Sequence, residues 1–567
     1  MTNHPGNQDK ILLALLPFWD PQIPPMGLAC IKGPLQVQGW KVTAVDANVE
    51  KRFRSIYDRY FNALKKYIPA EKTGNLYKIG HEVLRNHMMA HINYRDEQKY
   101  LELVGILVYH SFYWQLQPSQ VKDLVHIIED FYRRLEDYFL RLVEKEDPAV
   151  LGLSVFGGTL PASLFAFRLT RRKFPGIKTV MGGGIFSDQL AVGTPDFEFF
   201  LEKTRDYIDH IIIGEGELLF PKLLQNELSQ SQRVYTIKDI EGQWLDLASA
   251  PPPDFSDFDL QHYVSLSIYG SRSCPFQCSF CSESTFWGKY RKKDPQQAVW
   301  ELKHLSQTYR AQLFLMGDCL LNPIIADFSG EIVKQEVPIY WDGYLRVDKH
   351  VCDEEKTLLW RRGGFYRARI GCESGSPRIL KLMDKKISVD RIREALSTLA
   401  RAGIKTSTMW VVGHPHEKEQ DFQQTLDFIE ALKDDIYEAD CTPFYFWPNS
   451  QHASGDWQKN HRYVNLYPES ARDMLLIRTW VMDCQPSREE IYRRVNRFER
   501  HREKLGIPNP YSLRDIYEAD QRWKKLHKNA VPPLLDFKKD ILVDECKAVH
   551  KLCLAENKDV HNLDFGF

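Results

Sequence analysis

Short apolar runs, each closed by a glycine-rich or charged turn and followed by a helix-period stretch, recur in two separate tracts of this chain. That alternation dictates a parallel α/β architecture. In the first tract Ile11–Phe18, Lys41–Asp46, Ala149–Phe156, Ile177–Met181 and His210–Ile213 read as strands, with helices at Leu28–Val37 and Pro161–Phe174. The turns beyond them carry Pro24-Pro25-Met26-Gly27, Gly157-Gly158, Gly182-Gly183-Gly184 and Gly214-Glu215-Gly216-Glu217. A doubly wound, Rossmann-like sheet binds ligands at the carboxyl ends of its strands, where these glycines fall. In the second tract six more strands are expected, at Val264–Tyr269, Gln312–Met316, Ile339–Leu345, Arg367–Gly371, Thr406–Val412 and Cys441–Trp447. Helices such as Gln296–Tyr309 and Val389–Arg401 separate them. Six β/α repeats predict a partial (β/α)6 barrel of the TIM type, with its functional residues at the strand carboxyl ends.

Residues 51–147 interrupt the first tract with helix-period, aromatic-rich runs at 54–68, 100–114 and 121–143. They read as a helical insertion able to cap a ligand. Pro251-Pro252-Pro253 marks a linker over 236–262, and from 451 to 567 the pattern is helical, charged and aromatic. The expected division is therefore a Rossmann-like domain over 1–235, the linker, a barrel over 263–450 and a helical C-terminal region that closes on the substrate. At about 100–200 residues per domain, 567 residues support that number of units.

Composition excludes several classes. The chain is 43% hydrophobic and 27% charged, so it can build large cores and is neither disordered nor membrane-embedded. Lys plus Arg is 75 against 76 Asp plus Glu, so no global attraction to nucleic acid or anionic lipid arises, and neither partner is expected. The polar start Met1–Lys10 and a first apolar run of only eight residues predict a cytoplasmic protein. Eleven scattered cysteines do not form a disulfide framework.

Three of those cysteines cluster after the first barrel strand, in Ser273-Cys274-Pro275-Phe276-Gln277-Cys278-Ser279-Phe280-Cys281. Offsets of four and three let one loop wrap three thiolates around an iron–sulfur cubane, leaving one iron open. A zinc site wants a fourth ligand and usually paired Cys-x-x-Cys knuckles, and no second half lies nearby. Cys319 reads either as a thiol facing the site, a hydrogen donor, or as a small buried hydrophobe. Cys372 reads as strand core, and Cys546 with Cys553 as one face of a helix. Tyr445 and Trp447 read as an aromatic substrate wall or as barrel core. His414 and His416 read as proton shuttles or as solvated loop residues.

Cys-x-x-x-Cys-x-Phe-Cys after the first strand of a β/α barrel resembles the radical S-adenosylmethionine (SAM) enzymes. The resemblance implies a 4Fe-4S cluster on Cys274, Cys278 and Cys281, whose open iron chelates SAM, with Phe280 beside the adenine. It places Gly317-Asp318 at the SAM amino group, with Asp where the family has Glu. It also places Arg346 at the carboxylate, Glu373-Ser374 near the ribose and Gly413 at the adenine. The first tract is similar to the cobalamin-binding domains that precede many such barrels. That similarity assigns Pro25, Gly27, Leu28, Ser154, Gly157, Thr159, Leu160, Gly182, Gly183, Gly214, Glu215, Gly216 and Glu217 to cobalamin. None of the 18 histidines sits in Asp-x-His-x-x-Gly, so no histidine is expected below the cobalt. The alternative is a doubly wound domain that has lost its cofactor.

The resemblance implies a C-methyltransferase acting on an unactivated carbon of a small metabolite or peptide, with flavodoxin or ferredoxin as reductant. Three alternatives stand beside it. They are a cobalamin-using radical SAM enzyme that cyclises, contracts a ring or oxidises without methyl transfer, a tRNA methylthiotransferase, and a non-catalytic cluster protein.

Overall fold

A computed structural model describes residues 10–19, 22–447, 457, 461–509, 513–532 and 534. Cys546 and Cys553 lie outside the described residues. The first sheet contains β1 (Lys10–Leu15), β2 (Lys41–Asp46), β3 (Val150–Ser154), β4 (Lys178–Gly182), β5 (His210–Ile212) and β6 (Val234–Tyr235). All are parallel, in the order β2-β1-β3-β4-β5-β6. The chain leaves β1 in one direction along the sheet and β3 in the other, so the switch point lies between these two strands, where a crevice opens at their carboxyl ends. The two-residue edge strand β6 carries too short an apolar run to be read from the sequence.

The second sheet begins with β7 (Leu266–Ile268), followed by a small antiparallel ribbon of β8 (Ser271–Arg272) and β9 (Arg291–Lys292). It continues through β10 (Leu313–Met316), β11 (Tyr340–Leu345), β12 (Phe365–Glu373), β13 (Lys405–Val412) and β14 (Glu438–Pro443). These strands lie side by side in chain order and all run parallel, an open six-stranded barrel. The sixth strand ends at Pro443, four residues before the end of the apolar run Cys441–Trp447. The Phe444 N–H still donates to the Val412 carbonyl of β13, and the remaining aromatic residues to Trp447 continue beyond the strand.

Residues 51–147 are helical as expected: Lys51–Tyr67, Leu76–Asn93, Glu97–Phe112 and Pro118–Glu146. Asn75 and Asp96 cap the second and third helices by accepting from the backbone N–H of Lys78 and Lys99. The second helix gave no clean apolar stripe because His81, Glu82, Arg85, Asn86 and His87 fall in its middle. It also joins two parts of the molecule: Asn75 reaches Asp440 on β14, and Asn93 donates to the Met474 carbonyl.

The expected linker is packed rather than loose. Buried Lys32 pairs with Asp254 and Asp257, and the Asp257 carboxylate also accepts from the Ala44 N–H on β2. Beyond the barrel, a short antiparallel pair, Tyr463–Asn465 with Trp480–Met482, precedes the helices Arg488–Lys504 and Leu513–Leu526. No described helix is long and apolar enough to cross a membrane.

Candidate functional site

The carboxyl ends of the first sheet face the start of the second across a cavity of about 560 Å3. From the first sheet its wall takes Gly27, Leu28, Ser154, Gly182, Gly183, Gly214, Gly216 and Glu217, eight of the thirteen residues expected to meet cobalamin. From the barrel side it takes Tyr269, Arg272, Glu283, Trp287, Gly317, Asp318 and Cys319. A volume of this size is ordinary for a small-molecule or cofactor site. The glycines give it a bare backbone floor: a side chain at Gly27 or Gly214 would meet nothing within 4 Å. Gly183 instead has φ 110° and ψ -178°, and a side chain there would lie 2.4 Å from the Val155 backbone nitrogen. That region of backbone space is essentially reserved for glycine.

The other five expected cobalamin residues lie behind this wall. Pro25 starts the helix Met26–Val37, Thr159 starts Leu160–Lys173 and bonds the Phe156 N–H, and Gly157 abuts Gln189. Glu215 is committed elsewhere. Its buried carboxylate accepts from Arg272 at 3.0 Å, Arg291 at 2.7 Å and the Leu245 N–H at 2.5 Å, while Glu217 takes the other nitrogen of Arg272. The charged turn after β5 thereby clamps the β8–β9 ribbon from which the cysteine loop springs. Burial works against the charge on Arg272, yet Glu217 outweighs it and holds the guanidinium firmly protonated. The repeated Gly-Glu of that turn and an Arg two residues before Cys274 were the available signals, and neither identifies its partner.

Cys274, Cys278 and Cys281 are half-buried on the loop leaving β8. Burial raises the thiol pKa of Cys274, and that of Cys281 to about 11, with each of the other thiols close enough to add to it. Arg346, beyond β11, donates to Cys278 Sγ at 3.2 Å and lies over the Phe276 ring. Lys385 lies over Phe280 and also feels Cys278. Among the described residues no three His, Cys, Asp or Glu side chains converge on a single-ion site. Three soft sulfur donors on one accessible loop, flanked by two cations, are a donor set that fits an anionic iron–sulfur cluster.

The remaining expected SAM residues line up at successive strand ends. Gly317 packs against Met26 at the start of the helix Met26–Val37, where a side chain would lie 2.8 Å from Met26 Cε. Asp318 is buried and accepts from the Gly270 N–H and the Ser271 hydroxyl, and burial lifts its pKa to about 6. Glu373 has φ 63°, sits at a bulge where β12 meets β13 and pairs with Lys385 at 2.6 Å. Ser374 meets Thr425, and Gly413, at φ 86°, donates its N–H to Glu417. Cys319 donates to Glu283 at 3.1 Å, so its thiol faces the cavity rather than the core. Cys372 is fully buried in β12. Tyr445 and Trp447 stack 6.0 Å apart beyond β14. His414 is buried, with its pKa lowered to about 4, and His416 meets His461.

Comparison with known proteins agrees with this geometry. The family model "Radical SAM superfamily" matches residues 268–429. An anaerobic magnesium-protoporphyrin IX monomethyl ester cyclase of Rubrivivax gelatinosus is 23% identical over 342 residues, 56% of this chain and 60% of that protein. An uncharacterized methyltransferase of Pyrococcus horikoshii is 25% identical over 52% of this chain and 66% of that protein. The chain thus spans under two thirds of the length of these relatives. The radical SAM methyltransferase TsrM of Kitasatospora setae, solved with cobalamin and a 4Fe-4S cluster, superposes with TM-score 0.55 at 14% identity, over 96% of this chain and 99% of that one. The cobalamin-dependent SAM radical enzyme OxsB superposes with TM-score 0.53 at 13% identity, over 97% and 80%. A cysteine trio at a barrel mouth and a glycine-floored crevice opposite it are thus carried on the fold of those structures, and over residues 268–429 the chain is similar to the radical SAM superfamily.

Proposed function

We propose that this protein is a cobalamin-dependent radical SAM enzyme that transfers a methyl group to an unactivated carbon of a small metabolite or peptide. One observation carries the reading: the glycine-rich strand ends of the first sheet and the cysteine-bearing side of the barrel line the same cavity. When bound, the cluster and SAM supply a hydrogen-abstracting radical and cobalamin supplies the methyl group.

The chain's own residues hold and orient these groups. Cys274, Cys278 and Cys281 ligate the cluster, and the Arg346 guanidinium donates a hydrogen bond to the Cys278 sulfur. Asp318 accepts from the SAM amino group, and Glu373, Ser374 and Gly413 follow around the barrel mouth. Gly27, Gly182, Gly183 and Gly214 let the backbone approach a flat macrocycle closely. Glu283 orients the Cys319 thiol toward the cavity. Tyr445 and Trp447 wall the substrate side. Electrons come from a small redox protein such as flavodoxin or ferredoxin.

A second reading, radical chemistry without methyl transfer, is favoured by the similarity to a cyclase. One experiment separates the two. Protein purified anaerobically, reconstituted with iron and sulfide and supplied with hydroxocobalamin is desalted, and its cobalamin is extracted with cyanide and quantified. It is then incubated with SAM, reductant and candidate substrates. Near-equal cobalamin and protein, with S-adenosylhomocysteine and a product one methyl heavier, is the expected outcome. 5′-Deoxyadenosine with an unmethylated product would move the assignment to the second reading.

A further inference from the structure

The insertion helix Leu76–Asn93 presents Glu82, Arg85 and Asn86 on one face, at i, i+3 and i+4. This face meets Tyr445 beyond β14, Tyr467, and Arg488 and Tyr492 of the helix Arg488–Lys504. Tyr445 and Tyr467 both feel the charges of Glu82, Arg85 and Arg488. Both carboxylate oxygens of Glu82 are buried without a hydrogen-bond partner among the described residues, whereas Asn86 and Tyr467 lie close enough to interact with each other. Asn86 and Tyr467 are more than nine-tenths buried and the Glu82 side chain is 10% exposed. Stranded polar groups of this kind are costly, and each buried one demands an explanation.

Arg488 pairs with Glu82 in charge but makes no hydrogen bond to it. Its nearest nitrogen is 3.8 Å away, and Nε and Nη2 are spent on the His110 carbonyl and the Tyr492 hydroxyl. Arg85 spends Nε and Nη1 on Asn86 Oδ1 and Gln189 Oε1. Nη1 of Arg488 and Nη2 of Arg85 therefore keep donors without a hydrogen bond among the described residues. The cluster lies behind the cavity wall rather than in its lining. Gln189 abuts Gly157, and neighbouring Asp188 feels both Arg85 and the cavity residue Glu283.

We propose that this cluster binds the ammonium and carboxylate of an α-amino acid substrate. The inference deepens the proposed function and rests on it. Glu82 offers two free acceptors to an ammonium, and the guanidiniums of Arg85 and Arg488 offer donors to a carboxylate. Two cations and one anion suit a ligand carrying both signs better than a lone cation, which would meet a net positive site. Tyr445, which feels the charges of Glu82, Arg85 and Arg488, then packs beside the bound amino acid.

The test is direct binding to the reconstituted holoprotein, by isothermal calorimetry with each of the twenty free amino acids. Every amino acid that binds is retested as its N-acetyl and its carboxamide derivative. At least one amino acid is expected to bind saturably, more than tenfold weaker after either blocking step, and more than tenfold weaker to Glu82→Gln. That variant removes a buried charge without changing shape, so it should fold. If it does not, the blocked ligands on the unaltered protein still decide. Binding of no amino acid, or binding indifferent to blocking, overturns the inference. Tight binding of an N-terminal peptide amine with a remote carboxylate would show that Glu82 serves a peptide and would also overturn it. Because binding needs no turnover, SAM cleavage without amino acid binding sinks only this inference. Binding without methyl transfer sinks only the proposed reaction.

Discussion

Burial and hydrogen bonding pull Asp318 in opposite directions. Loss of water raises its carboxyl pKa, the Ser271 hydroxyl and the Gly270 N–H lower it, and burial wins, leaving it near about 6. Between about pH 4 and 6 the unfolded chain has released this proton while the folded one keeps it, so ionising Asp318 costs stability across that window and nothing more above it. Only the ionised form accepts strongly from an ammonium. If Asp318 meets the SAM amino group, SAM affinity of the reconstituted protein, measured by equilibrium dialysis, should fall about tenfold between pH 7 and pH 5. Asp318→Asn should be weaker and flat over the same range, whereas a flat wild-type profile would detach Asp318 from SAM. The cysteines make a separate statement at this scale. Cys278→Ala should lose the iron–sulfur absorbance and all SAM cleavage while retaining hydroxocobalamin, because none of the three thiols lines the cavity. Full activity in that variant would remove the basis for the whole assignment.

The strand-end turns show what sequence can and cannot reveal about elements. The β/α alternation and the Gly-rich turns were legible because apolar period and glycine are local signals, and the strands form within a few residues of their expected bounds. The ending of β14 was misread because the aromatic run that signals a strand continues past Pro443, where the strand ends. The helix Leu76–Asn93 was hard to read because buried Asn86 and His87 interrupt its otherwise apolar inward face. The Glu215 clamp could not be read at all, since it joins residues 57 and 76 positions apart. Among the turns, the one after β4 is the most exacting. Gly183→Ala would force a disfavoured φ and drive a methyl into the Val155 backbone. We expect a loss of about 2–4 kcal/mol, seen as a lower midpoint in urea, together with reduced cobalamin retention. Unchanged stability would mean that β3 can yield at Val155, and the floor of the cavity would then be far softer than its geometry indicates.

At the scale of the whole molecule, the first sheet and the barrel are joined through charge as well as through the cavity. Arg272 and Arg291 leave the barrel's cysteine loop at its two ends, and both converge on Glu215 in the turn after β5. The Glu215 side chain is 2% exposed, so removing its charge leaves two poorly hydrated guanidiniums with less compensation, a loss of about 3 kcal/mol for buried pairs of this kind. Occupying the cavity should tie the same parts together: a ligand at a hundred times its dissociation constant stabilises the folded state by about 2.7 kcal/mol. Hydroxocobalamin added to the wild-type protein should therefore slow hydrogen exchange both in peptides from the turn after β5 and in peptides covering 271–292. In Glu215→Gln the first set should still be protected and the second should exchange faster, with iron incorporation reduced accordingly. Equal protection of the 271–292 peptides in both proteins would show that the cysteine loop is held by the barrel alone, and that the charged turn serves only to pack the first sheet against it.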